Sequence, residues 1–322
     1  MSIAAEPVKP GITIPAEAGF AAPVIEPSGT PAPPRKTPPL SVMLELMHPI
    51  TWFAPMWAYM CGVVSSGQPI FWNLPLILLG ILIAGPMVCG TSQAANDWFD
   101  RHVDAINEPD RPIPSGRLPG RMGLWIAIVW SAVSLLLAIP LGKWGFGAVL
   151  VGLTLAWAYS MPPVRLKQDG WLGNLACGAC YEGLPWVTGA AVMVDGRPDW
   201  RILLVALLYS LGAHGIMTLN DFKSVEGDLR TGIASLPAQL GVERAGIVAC
   251  LFMAAPQLIV IFLLKDWHFY GQAIAVSVLL AAQIGLMIWL LQKPKERAPA
   301  YNGTGTTLYV IGMLVTAFAL RP

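Results

Sequence analysis

Residues 70–117 read IFWNLPLILLGILIAGPMVCGTSQAANDWFDRHVDAINEPDRPIPSGR. The first 27 carry no formal charge, and the last 21 carry five carboxylates and three arginines. About 20 apolar residues suffice to cross the hydrocarbon core of a bilayer as a helix. The change at Asp97 therefore reads as the end of a membrane span, with a dense polar block at its mouth. The pattern repeats outward from this stretch. No Asp, Glu, Lys or Arg occurs in residues 46–96, and uncharged runs recur at 122–142, 144–164, 202–220, 245–264, 267–292 and 298–320. A soluble fold could not bury so many segments. The 322 residues, 55% hydrophobic and 12% charged, read as an all-α polytopic membrane protein.

Nine spans are expected, at about 43–65, 70–96, 122–142, 144–161, 171–193, 201–220, 244–264, 271–291 and 303–320. Residues 1–39 differ, with ten prolines and no long apolar segment. They read as a disordered or polyproline-like tail without the apolar stretch of a signal peptide, so 40–322 forms the membrane domain. Alternate loops put fifteen of the twenty Lys and Arg on one side of the membrane, together with the N-terminus. By the positive-inside rule that side is cytoplasmic, and the polar block lies there. A net charge of +1 without a basic cluster gives no footprint for nucleic acid.

The block has an echo. Asn96-Asp97 closes the second span, and Asn220-Asp221 closes the sixth as NDFKSVEGDLRTGIASLPAQLG. The two read as a diverged internal duplication, with both acidic clusters facing one cavity. Asp97, Asp100 and Asp104 are spaced i, i+3, i+7, and Asn96, Asp100 and Asp104 i, i+4, i+8; either set falls on one face of a helix. Clustered carboxylates repel unless a cation neutralises them. Oxygen-only ligands suit Mg²⁺, which binds through a few carboxylates plus waters and substrate phosphates. The second copy adds Asp221, Glu226 and Asp228. Arg101, Arg111, Lys223 and Arg230 lie among the acids, and Arg165 and Lys167 in the 162–170 loop. Such groups bind phosphate oxygens through charge-assisted hydrogen bonds. Cys177 and Cys180 form a CxxC without a second pair, so the five cysteines read as small residues at helix contacts.

Asn96-Asp97-x-x-Asp100-x-x-x-Asp104 followed by Arg111-Pro112-Ile113-Pro114-Ser115-Gly116 resembles the first signature of the UbiA superfamily of intramembrane prenyltransferases. INEPDRPIPSGR, YSMPPVRLKQDGWLGN, CYEGLPW and NDFKSVEGD look like its tetrapyrrole branch. The resemblance covers residues 40–322. It implies a nine-helix bundle with a lateral opening to membrane lipid, and Mg²⁺ bridging a prenyl diphosphate. It also implies that Asn96, Asp97, Asp100, Asp104, Asp221 and Asp228 carry the site. Tyr159, Arg165 and Lys167 match the loop bordering the diphosphate. Ser224 stands where many relatives have a second-motif Asp, which leaves open whether Glu226 compensates. The implied reaction joins a geranylgeranyl or phytyl group to the propionate of bacteriochlorophyllide or chlorophyllide in a bacterial photosynthetic membrane, where pigment-assembly proteins are plausible partners. Two alternatives stand beside it: prenylation of an aromatic quinone or haem precursor, and a non-enzymatic transporter or pigment-binding protein.

Three features are candidates for the acceptor pocket. Glu182 sits mid-span, where a carboxylate is expensive; it is either a hydrogen-bonded packing contact or a pigment contact. His214 precedes Asn220 by six residues and is either a satisfied buried histidine or a ligand of the pigment's central Mg. Trp52, Phe53, Trp57 and Tyr59 form either an interfacial belt or a platform for a flat macrocycle.

Overall fold

A computed structural model describes residues 39–321, so the proline-rich tail lies outside the described residues. The helices are α1 (Leu40–Leu46), α2 (Phe53–Ser65), α3 (Leu74–Leu82), α4 (Gly90–Asn107), α5 (Met122–Ala138), α6 (Gly142–Ser160) and α7 (Gly170–Gly178). They continue with α8 (Leu184–Val194), α9 (Trp200–Asn220), α10 (Val225–Thr231), α11 (Leu236–Leu240), α12 (Val242–Asp266), α13 (Tyr270–Gln292) and α14 (Pro294–Ala319). Among the described residues five segments are long and apolar enough to cross a membrane: Leu74–Ala105, Met122–Ser160, Trp200–Lys223, Val242–Asp266 and Tyr270–Gln292. Met122–Ser160, at 39 residues, is about twice the length one crossing needs. It breaks at the junction of the two helices, where Gly142 turns the chain at φ +70°, a left-handed conformation that favours glycine, and α5 then packs against α6.

Several boundaries differ from the expected ones. The first span is not continuous over 43–65. Pro49 forces the preceding residue out of the helical region, and His48 turns at φ +46° between α1 and α2. The second does not stop at Asn96. Helix α4 runs to Asn107, so the first acidic motif is itself helical and only 108–121 is loop. The last helix begins at Pro294 rather than 303, because proline is tolerated in a first turn. Two rods contain π-helical turns, Ile83–Cys89 joining α3 to α4 and Ala179–Gly183 joining α7 to α8.

Packing follows membrane rules. Helices α2 and α8 approach so closely that a Cβ on Gly62 would strike the Trp186 carbonyl, and one on Gly189 the Tyr59 carbonyl. Small residues give such contacts where lipid removes the hydrophobic drive between helices. Gln257 of α12 and Gln283 of α13 exchange two amide hydrogen bonds of 3.1 Å in the dry interior. The outer sides of these helices carry Phe262, Ile274, Val278 and Ile288, each more than 60% exposed. Apolar surface on that scale requires lipid, and the protein is an integral membrane protein.

Candidate active site

The regular turns of α4 carry Asn96, Asp97, Asp100 and Asp104, but their carboxyls divide between two groups of bases. Asp97, 1% exposed, accepts from Arg111 Nη1 at 3.1 Å and meets His48 Nε2 at 3.1 Å on its other oxygen. The same Arg111 nitrogen donates to Asp104 at 3.1 Å, and Arg111 Nε donates to Glu108 at 2.5 Å. Burial opposes the charge of Arg111, yet its bond to Glu108 and the fields of Asp97 and Asp104 outweigh burial and hold it above its ordinary value. Asp100 points instead to the 162–170 loop, accepting from Arg165 Nη2 at 3.1 Å and from Lys167. Burial pulls the Lys167 ammonium below its ordinary value, and Asp100 pushes back.

At the end of α9 the partners are neutral. Asp221 accepts from Asn174 Nδ2 at 3.2 Å. Asp228, buried on α10, accepts from Ser224 Oγ at 3.1 Å and Ser235 Oγ at 2.6 Å. Ser224 thus orients the neighbouring carboxylate. Glu226 does not join Asp221 and Asp228; it is exposed and pairs with Lys295 at 3.1 Å. Asp169 caps α7, accepting from the Trp171 and Leu172 amides, while Gly170 N donates to Ala234 O and Ala234 N to Gln168 O. This backbone bridge ties the basic loop to the second motif.

One cavity of about 330 Å³ collects the leading residues of both motifs: Asn96 from the first, and Asn220, Asp221 and Lys223 from the second, with Tyr159 and Asn174. Asp97, Asp100, Asp104 and Asp228 are not among its lining residues and are held by the partners above. Two small apolar pockets adjoin the cavity in series beside the first π-helical turn, one sharing Ala156 and Cys180 with it and the next reached through Ala84, Val88 and Gly152, and together they mark a candidate channel. Two expected contacts lie elsewhere. Arg101 folds over the Trp98 ring at 4.2 Å and donates to the Trp98 carbonyl, because an interfacial aromatic satisfies it locally. His214 stacks on Phe252 at 4.3 Å and lines neither this cavity nor the pockets beside it. Of the first-span aromatics, Trp57 donates to the Val310 carbonyl, Tyr59 lines the farther of the adjoining pockets, and Phe53 lines a separate cavity with Glu182.

Sequence reasoning missed His48, Asn174, Tyr181 and Ser235. Asn174 lay inside the quoted GWLGN stretch, and Tyr181 inside CYEGLPW. Gln93 Nε2 donates to the Tyr181 hydroxyl at 3.1 Å, fixing that ring at the cavity wall.

The UbiA prenyltransferase family model matches residues 51–316. The chain belongs to this family. The bacteriochlorophyll synthase 33 kDa chain of Cereibacter sphaeroides is 56% identical over 89% of this chain and 95% of its own. The chloroplastic chlorophyll synthase of Avena sativa is 36% identical over 86% and 76%. A UbiA homolog from Archaeoglobus fulgidus, described as bound to GPP and Mg²⁺, superposes with a TM-score of 0.67 at 20% identity, covering 87% of this chain and 99% of that one. At that identity the likeness shows the UbiA fold alone.

The donor chemistry of the cavity fits a divalent cation. Among the described residues no three His, Cys, Asp or Glu side chains converge to hold an ion by themselves. Mg²⁺ does not need such a cage; it takes one or two carboxylates and completes its shell with waters and phosphates. Asn96 donates through Nδ2 to Ser160 at 3.2 Å, which leaves its Oδ1 carbonyl oxygen able to ligate a cation in the cavity that Asn96 shares with Asp221.

Proposed function

We propose that the chain transfers a geranylgeranyl or phytyl group from its diphosphate to the propionate carboxylate of a bacteriochlorophyllide. The observation that carries this reading is the cavity lined by Asn96 of the first motif and by Asn220, Asp221 and Lys223 of the second, with apolar pockets adjoining it. The choice of acceptor rests on the 56% identity to a bacteriochlorophyll synthase chain, against 36% to a chlorophyll synthase.

In this reading the diphosphate occupies the polar cavity and the isoprenoid tail follows the channel toward Gly152. Asn96, Asp97, Asp100, Asp104, Asp221 and Asp228 would hold Mg²⁺, which supplies positive charge against phosphate oxygens when bound. Arg111, Arg165, Lys167 and Lys223 stabilise negative charge as the C1–O bond breaks and the diphosphate leaves with the electron pair. A propionate oxygen then bonds to C1. The propionate is ionised at neutral pH, since its unperturbed pKa is about 4–5, so no general base is required. The channel's Ala84, Val88 and Gly152 keep water from the allylic cation.

Nine spans with a cytoplasmic active-site end and a tail over residues 1–39 complete the proposal, supported by the charge asymmetry of the loops. The decisive experiment incubates purified protein with Mg²⁺, bacteriochlorophyllide and geranylgeranyl diphosphate. The expected product is a more hydrophobic pigment that mild alkali returns to the free acid and a C20 alcohol. A product resistant to saponification, or prenylation of 4-hydroxybenzoate in place of pigment, overturns the reading.

A further inference from the structure

Beyond Tyr181 lies a second cavity of about 230 Å³, between α2, α9 and α14. It shares Tyr181 and Met217 with the diphosphate cavity, so those two side chains are a common wall. Three buried polar atoms on its lining have no hydrogen-bond partner among the described residues: Glu182 Oε2, Asn302 Oδ1 and Thr306 Oγ1. Glu182 is 3% exposed. An atom left in that condition forfeits its hydration without replacement, and native structures tolerate few of them. Three on one cavity mark a place where something else supplies the partners.

The surroundings restrict what that is. Glu182 and Tyr181 belong to the π-helical turn Ala179–Gly183, a wide turn that folds keep mostly where it serves a site. Asn302 donates through Nδ2 to Asn220 Oδ1 at 2.7 Å, which joins this cavity to the start of the second acidic motif. The remaining walls are apolar, including Ala213, Ile216 and Val310, and exposed Phe53, Gly303 and Thr307 form the mouth. The volume is below the roughly 300–1,000 Å³ that encloses a whole small ligand, so it accepts one edge of a larger one.

We propose that this cavity is the acceptor subsite, and that Glu182, Asn302 and Thr306 select the acceptor by polar groups on the edge of its ring. The inference rests on the prenyl-transfer reading above. A flat acceptor entering from lipid past Phe53 passes its carboxylate arm between the Tyr181 and Met217 side chains, where the two cavities adjoin, to reach the prenyl C1. Its ring edge then meets the three unpartnered atoms. A ring carbonyl accepts from the Thr306 hydroxyl and from the Glu182 carboxyl when that group carries its proton, whereas an all-hydrocarbon edge offers neither of them an acceptor. Sites of this kind reject analogues that lack the polar group far more strongly than apolar pockets reject an extra methylene.

The test uses the full-length protein in detergent with two chlorophyllides that differ only in one ring substituent, acetyl in one and vinyl in the other. Wild type is expected to favour the acetyl acceptor at least tenfold in kcat/KM. In Glu182→Leu the KM for the acetyl acceptor should rise about tenfold and the preference should fall toward unity. The KM for geranylgeranyl diphosphate should stay within twofold, and Glu182→Gln should retain most of the preference. Thr306→Val should move the preference the same way by a smaller factor, and it decides the matter if Glu182→Leu does not fold. Equal loss on both acceptors, or a raised KM for the diphosphate, overturns the subsite. A wild type that esterifies both acceptors without preference overturns the selection and leaves the transfer reaction standing. A wild type that esterifies neither overturns the transfer reading itself.

Discussion

On α4 every acid of the first motif meets a cation: Asp97 and Asp104 meet Arg111, and Asp100 meets Arg165 and Lys167, while His48 adds a further contact to Asp97. At the end of α9 the hydrogen bonds to Asp221 and Asp228 come from Asn174, Ser224 and Ser235, all neutral. The difference lies in what an incoming Mg²⁺ would have to displace. A carboxylate already bound to arginine or lysine must share or give up that partner, whereas one held by amides and hydroxyls meets no competing cation in its hydrogen bonds. The two motifs look alike as strings, but the partners set them apart.

That contrast can be broken at its strongest point first. Arg111→Met leaves the nearly inaccessible Asp97 carboxyl without its guanidinium, and removing one partner of a buried pair costs about 3–5 kcal/mol. Thermal or denaturant unfolding in detergent should show a loss of that order; a shift under about 1 kcal/mol would mean that His48 alone compensates Asp97. Next, Asp221→Asn should keep the protein folded, because the amide still hydrogen-bonds. It should reduce kcat/KM for prenyl transfer by about a hundredfold, which is about 2.7 kcal/mol of transition-state stabilisation. Turnover near wild type would return Asp221 to a packing role and erase the distinction between the motifs. The smallest effect belongs to Glu226→Gln. Its side chain is 78% exposed and bonded to Lys295, so stability should change by under about 0.5 kcal/mol and activity by less than twofold. A large loss of activity there would put Glu226 back among the ligands.

The membrane class, the helical face of the first motif and the basic companions at Arg111, Arg165 and Lys167 were legible because each rests on local spacing or charge. The His48 turn is also local, since Pro49 dictates it, but its meeting with Asp97 joins residues 49 apart in sequence. Asn174 reaches Asp221 across 47 residues. No periodicity encodes such pairs, which depend on how the helices are set against each other. Glu182 shows the same limit. Its burial could be read from a mid-span position, whereas the π-helical turn and the company of Asn302 and Thr306 required the fold.

The bridge between Gly170 and Ala234 has a consequence in time. A ribosome adding roughly 5–20 residues per second reaches residue 234 some 7–30 s after Asp97. Arg111 emerges only fourteen residues after Asp97, so the first motif is neutralised almost at once by its own neighbourhood. The loop bearing Arg165 and Lys167, by contrast, lacks its backbone anchor until the second motif has been made. A chain stopped before Ala234 would insert its early helices and compensate most of their acids, yet its Arg165 and Lys167 loop would be unanchored. The candidate site is therefore completed late, when about three quarters of the polypeptide already exists.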